Sequence, residues 1–131
     1  MVIPAGADDV QVIDVGDGPG DPRAAWERVL RQDPSLPWAA PVLLDEDGRE
    51  MLPTGEVTVR FGGPPSDADL GEFGRRHGLS LRSRNEFVPS QAVFVPADRR
   101  SAYLPDLCQR LAGEPGVAAA WANTRSRYER T

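Results

Sequence analysis

The chain has 131 residues, enough for one ordinary hydrophobic core, and its 40% hydrophobic content excludes both two large domains and wholesale disorder. All fifteen cations are arginine, and the formal net charge of −5 argues against a general nucleic-acid binder relying on phosphate neutralisation. Thirteen Gly and thirteen Pro predict short elements separated by turns.

Val10 to Val15, "VQVIDV", is rich in β-branched residues and precedes the breaker cluster "GDGPGDP", so it is predicted as a strand and loop. Asp21 and Pro22 supply an N-cap and a first-turn proline. The helix they open carries Trp26, Val29 and Leu30 on one face and ends at Asp33-Pro34. "WAAPVLL", Trp38 to Leu44, predicts an edge or bulged strand because it is short and apolar with an internal proline. "DEDG" follows as a tight turn and Arg49 to Leu52 as a brief return arm. Three acids at Asp45, Glu46 and Asp47 invite a calcium reading, but an EF-hand needs more ligands at wider spacing, whereas Asp-Gly suits a hairpin turn.

"EVTVRF" alternates, with Val57, Val59 and Phe61 on one face and Thr58 and Arg60 on the other, the pattern of a half-buried strand. Ser66 caps the next helix, Asp67 and Asp69 sit in its first turn, and Leu70, Phe73 and His77 share a face. Gly78 is expected to end it in the left-handed region. Arg75, Arg76 and His77 then oppose the negative end of the helix dipole, so the single histidine is chiefly a helix terminator; no nucleophile or orienting carboxylate is patterned beside it. "LSLRSRNEF" predicts a second strand with Leu79, Leu81 and Phe87 inward and Arg82, Arg84 and Glu86 outward, "VPSQ" a turn and "AVFVP" the return strand. Leu104, Leu107, Cys108 and Leu111 define the last helix, closed by Gly113, and "VAAAWAN", 117 to 123, the last strand.

The fold class expected is α+β: a ferredoxin-like βαββαβ antiparallel sheet with two helices on one face over residues 55–131, preceded by a βαβ-like N-terminal extension over residues 1–54. Right-handed crossovers place the first and third strands of the sheet in the middle. The two segments differ in charge: residues 1–56 hold twelve acids against four arginines, residues 57–131 eight acids against eleven arginines. One cysteine and one histidine exclude an internal disulfide and a zinc cluster, so no metal or cofactor is expected. The start "MVIPAGADDV" lacks the pattern of a signal peptide and no apolar run approaches the roughly 20 residues that span a bilayer, which predicts a cytoplasmic protein with no membrane partner. Phe61 and Phe94 fall on the central strands without the aromatic-rich pattern of RNA-binding sheets, so no nucleic-acid partner is expected.

Three stretches carry a family resemblance: "GEVTVRF" at the first strand, a helix ending "HGL" before the second, and "GVAAAWAN" at the last. Together, over about residues 38–128, they resemble the fervidolysin-type N-terminal prodomain of subtilisin-like serine proteases, whose last strand often reads Val-x-x-Ala-x-x-Asn. Val117, Ala120 and Asn123 occupy those positions, while Trp121 and Ala122 replace the usual Glu and Pro. The resemblance implies a non-catalytic module, since these residues carry none of the protease's own Asp, His and Ser motifs. It implies an inhibitor and intramolecular folding chaperone whose open sheet face packs on the protease while the C-terminal tail lies in the substrate cleft by β-augmentation. The tail is then Thr124 to Thr131, with Asn123 at its root, Tyr128 as aromatic anchor and Arg125 and Arg127 as polar contacts. Thr58, Arg82 and Arg84 belong to the docking face, and Glu86 caps a helix of the partner. The alternative is a stand-alone protein–protein interaction or assembly adaptor of the same shape, homodimeric through its sheet edges or face.

Overall fold

The computed structural model describes residues 1–5, 9–13 and 21–126. They form an α+β protein with strands β1 (Val2–Pro4), β2 (Val10–Val12), β3 (Leu43–Leu44), β4 (Glu50–Phe61), β5 (Leu79–Arg84), β6 (Gln91–Pro96) and β7 (Val117–Ser126). The helices are α1 (Pro22–Gln32), α2 (Asp67–His77) and α3 (Leu104–Ala112). The chain groups into two compact units, one of Met1–Gly55 joined by the chain from Asn123 on, the other of Glu56–Ala122.

In the first unit β1 and β2 pair antiparallel, Val2 opposite Val12. The β1 strand has no sequence forecast, since three residues after Met1 show no usable period. α1 starts as expected: the Asp21 side chain accepts from Arg23 N at 3.0 Å and Pro22 fills the first turn. Its buried face is Trp26, Val29 and Leu30, and the Trp26 indole donates to the Ala39 carbonyl at 2.8 Å. The predicted strand Trp38 to Leu44 is mostly something else. Ala40 makes a single bridge to Val2 (2.7 and 2.9 Å), and only Leu43–Leu44 is strand, pairing with Glu50–Met51. Trp38, Ala39 and Ala40 are buried and serve as packing rather than as a ladder. The "DEDG" turn is tight: the Asp45 carboxylate accepts from Asp47 N (2.9 Å) and Arg49 N (2.8 Å), and Gly48 has φ +79°. The return arm does not stop at Leu52 but continues through a buried Pro53 into β4.

In the second unit β4 pairs with β7 and with β6, and β6 with β5. β4 and β6 run antiparallel with Val57 opposite Phe94 and Val59 opposite Ala92; these four are at most 1% exposed. Phe73 of α2 meets Phe61 edge-on (centroids 5.1 Å) and Phe94 at 5.5 Å, which fixes α2 on the face bearing Val57, Val59 and Phe61. A complete capping box joins Ser66 and Asp69 at its start, and Gly78 (φ +67°) ends it. Gly74 lets the helix close on β5, because a Cβ there would stand 2.7 Å from the Leu79 carbonyl oxygen. α3 buries Leu104, Leu107 and Leu111 at the predicted spacing. Each leucine taken from water contributes roughly 1.5–3 kcal/mol.

The strand β5 departs from simple alternation. Leu81 stands opposite Phe94 but Ser83 opposite Val93, so two residues of β5 advance against one of β6 and Arg82 is the extra residue of a bulge. From there the faces exchange: Arg84 lies opposite Ala92, on the side of the helices.

Candidate functional site

The face of the second unit away from α2 is set by the same alternation: Glu56, Thr58 and Arg60 on β4, Val93 on β6 and, through the bulge, Arg82 on β5. Arg82 pairs with Glu56 across β6. Burial lowers the Arg99 guanidinium from its ordinary value, with Glu56 opposing the shift and Arg82 adding to it. Arg60 lies 5.9 Å over the Trp121 ring, a cation–π contact that puts Trp121, 38% exposed, on this face too.

The predicted docking residues fare differently. Thr58 points to this face as alternation requires, yet it is 7% exposed, a central-strand position beside Val93 rather than an outward contact. Arg82 is available at the edge, its side chain 56% exposed. Arg84 was expected outward; the bulge turns it to the helix side, where it binds the Asp67 carboxylate (3.2 Å) and the carbonyls of Pro65 and Pro89. It is a brace between α2 and the β5–β6 turn. Glu86 is exposed and has no cationic partner among the described residues. Asn123 lies in β7, and its carbonyl accepts from the Thr54 hydroxyl at 3.4 Å.

Part of the segment expected as tail is strand. Thr124, Arg125 and Ser126 extend β7, and the Arg125 side chain, 18% exposed, pairs with Asp9 at 3.2 Å. The predicted contacts Arg127 and Tyr128 lie outside the described residues.

One feature escaped the sequence reading. Phe87, expected inward, is 92% exposed at the tip of the β5–β6 turn, with Val88 beside it at 38%. The turn is held by Asn85, whose Oδ1 accepts from Phe87 N (2.9 Å) and Val88 N (3.1 Å) and whose Nδ2 donates to Gln91 Oε1 (3.3 Å). The asparagine two residues before Phe87 and the proline two after were the available signal.

The two other reactive side chains are packed away from this face. His77 is stacked on Phe73 (4.6 Å) with its Nε2 3.7 Å from a Glu114 carboxylate oxygen. Burial lowers its pKa, Glu114 opposes that, and Arg76 and Arg110 add to it. Burial pushes the Cys108 thiol up to about 11, which leaves it protonated and weakly nucleophilic at neutral pH. No group of three or more metal-ligating side chains occurs among the described residues. No helix among them is long and apolar enough to cross a membrane.

No family model, no curated protein and no solved structure matches this chain.

Proposed function

We propose that the second unit is a ferredoxin-like, non-catalytic module that docks on a subtilisin-like serine protease as inhibitor and folding chaperone. The observation that carries this reading is the strand arrangement: β7 beside β4, β4 beside β6, β6 beside β5, with α2 and α3 as the two crossovers and the first and third strands of the unit in the middle. The prodomain resemblance in "GEVTVRF", "HGL" and "GVAAAWAN" falls on the first strand, the end of α2 and the last strand of that unit. Arg60, Trp121 and Arg82 offer the aromatic and arginine contacts that dominate protein interfaces.

Because Thr124–Ser126 are strand, the segment assigned to the cleft is residues 127–131. The test is a titration of a subtilisin-like protease with the whole chain and with a chain ending at Ser126. The expected outcome is slow, tight inhibition by the first and loss of inhibition by the second, with the same melting temperature for both. Equal inhibition by the two chains refutes the tail's role.

The second reading, an assembly adaptor without protease specificity, is favoured by one observation: Arg125 is engaged with Asp9 and its strand runs on to Ser126, which shortens any free tail. Absence of inhibition by the whole chain at micromolar concentration favours that reading.

A further inference from the structure

The chain's one histidine closes α2 with a ring nitrogen set between two opposite demands. Arg76 Nε donates to His77 Nε2 at 3.4 Å, and a Glu114 carboxylate oxygen stands 3.7 Å from the same atom. A nitrogen of a neutral imidazole either accepts or donates, never both. Accepting from Arg76 leaves Nε2 bare and puts the ring proton on Nδ1. The Nε2 lone pair then faces the Glu114 oxygen, acceptor against acceptor, and that contact has no hydrogen bond to offer until a proton arrives. Once Nε2 is protonated the demands reverse: Arg76 Nε–H meets another N–H, and Glu114 gains a charge-assisted donor. Stacking on Phe73 at 4.6 Å, with 7% of the side chain exposed, holds the ring in place while its partners exchange.

We propose that His77 Nε2 is a proton-operated switch that engages Arg76 when the ring is neutral and Glu114 when it is charged. The charged groups facing the ring are Arg76 on α2, Arg110 on α3 and Glu114 in the turn after α3. The two arginines favour the neutral ring and Glu114 the charged one. Burial also opposes the charge, which sets the exchange below pH 6.5.

Both partners border one open groove of about 530 Å³ in the second unit. Arg76 lines it beside Phe61 and Phe73, with its guanidinium 5.9 Å over the Phe73 ring, and the two residues after Glu114, Pro115 and Gly116, line it too. The turn is tied back to the sheet, since the Gly116 carbonyl accepts from Gly62 N at 2.9 Å and that of Glu114 from Val117 N at 3.1 Å. A proton on His77 therefore draws the turn towards α2 and releases Arg76 from the ring, so two walls of the groove respond to pH. The device is built from the second unit alone and holds whether or not that unit docks on a protease.

The test is nitrogen-15 NMR of the whole chain, in which a single histidine gives unambiguous ring signals. At pH 7.5 the ring is expected in the Nδ1–H form with Nε2 bare; the Nε2–H form overturns the proposal. From pH 7.5 to pH 4.5 the Arg76 Nε–H resonance and the amides of Glu114, Gly116 and Gly62 should shift with the midpoint of His77 itself. Glu114→Gln should lower that midpoint and Arg76→Gln raise it, each by about 0.2–0.7 pH units, the size set by partly exposed charge pairs. Glu114→Gln should also shrink the response of the Gly116 and Gly62 amides while that of Arg76 remains. Turn amides that respond as fully in Glu114→Gln as in the wild type report only the field of the ring charge, against the proposal. The same His77 midpoint in all three chains overturns it as well.

Discussion

At the scale of single residues, several polar and charged side chains hold turns and helix ends. Arg84 joins α2 to the β5–β6 turn, Asp45 closes a hairpin on its own amides, and Ser66 with Asp69 caps a helix. His77 shows how position decides chemistry. It sits in the last turn of α2, where a cation would be favoured, but its side chain is 7% exposed and packed on Phe73, so desolvation outweighs Glu114 and the pKa falls below 6.5. Well above pH 6.5 the imidazole is neutral in both the folded and unfolded states. Below it the unfolded chain takes up a proton that the folded chain resists, so stability is lost as pH falls from 6.5 towards the depressed folded value. The difference in urea midpoint between His77→Gln and the wild type, followed from pH 7.5 to pH 5, should therefore shift in favour of the variant. A difference independent of pH contradicts the assignment.

At the scale of elements, α2 is where local and tertiary demands coincide. Its cap, its acidic first turn, its basic last turn and Gly78 were all legible, because each is a contact within a few residues. Gly74 was not, since its reason is a carbonyl from the next strand. The two helical glycines make a matched test. Gly74→Ala puts a Cβ 2.7 Å from the Leu79 oxygen and is expected to cost about 1–3 kcal/mol through displacement of β5. Gly71→Ala meets nothing within 4 Å and should stabilise by about 0.5–1 kcal/mol through the lower entropy of the unfolded chain. Urea denaturation of the pair reads both signs, and equal effects would remove the steric explanation. The bulge at Arg82 is the same lesson in a strand. An extra residue in β5 leaves the period-2 pattern of "LSLRSRNEF" intact on paper and reverses it in space, which is why Arg84 was assigned to the wrong side.

At the scale of the whole molecule, the chain's two ends belong to one unit. Met1 donates its amino group to the Ile13 carbonyl at 3.1 Å, and Arg125 binds Asp9 across 116 residues of sequence. The Asp9 carboxylate side chain is 66% exposed, so salt and solvent weaken this pair and its removal is expected to cost at most about 1 kcal/mol. The effect should be local. Arg125→Ala is expected to lower hydrogen-exchange protection in β1 and β2 while the amides of β5 and β6 keep theirs. Uniform loss of protection would mean that the two units unfold together.

The order of the elements from β4 to β7, the caps of α1 and α2, the buried stripes Trp26–Val29–Leu30 and Leu104–Leu107–Leu111, and the apolar face of β4 followed from sequence alone. Each depends on period and on neighbours within one or two turns of chain. Tertiary structure decided what depends on partners far along the chain: that Ala40 makes a bridge to Val2 rather than a strand, that β4 starts at Glu50, that Thr58 is buried, and that Thr124–Ser126 continue β7. It also decided which side chains are left over for another molecule. A hydrophobic residue is assigned inward by pattern, whereas Phe87 falls in the turn beyond β5, where Asn85 holds its amide and the ring stands in water.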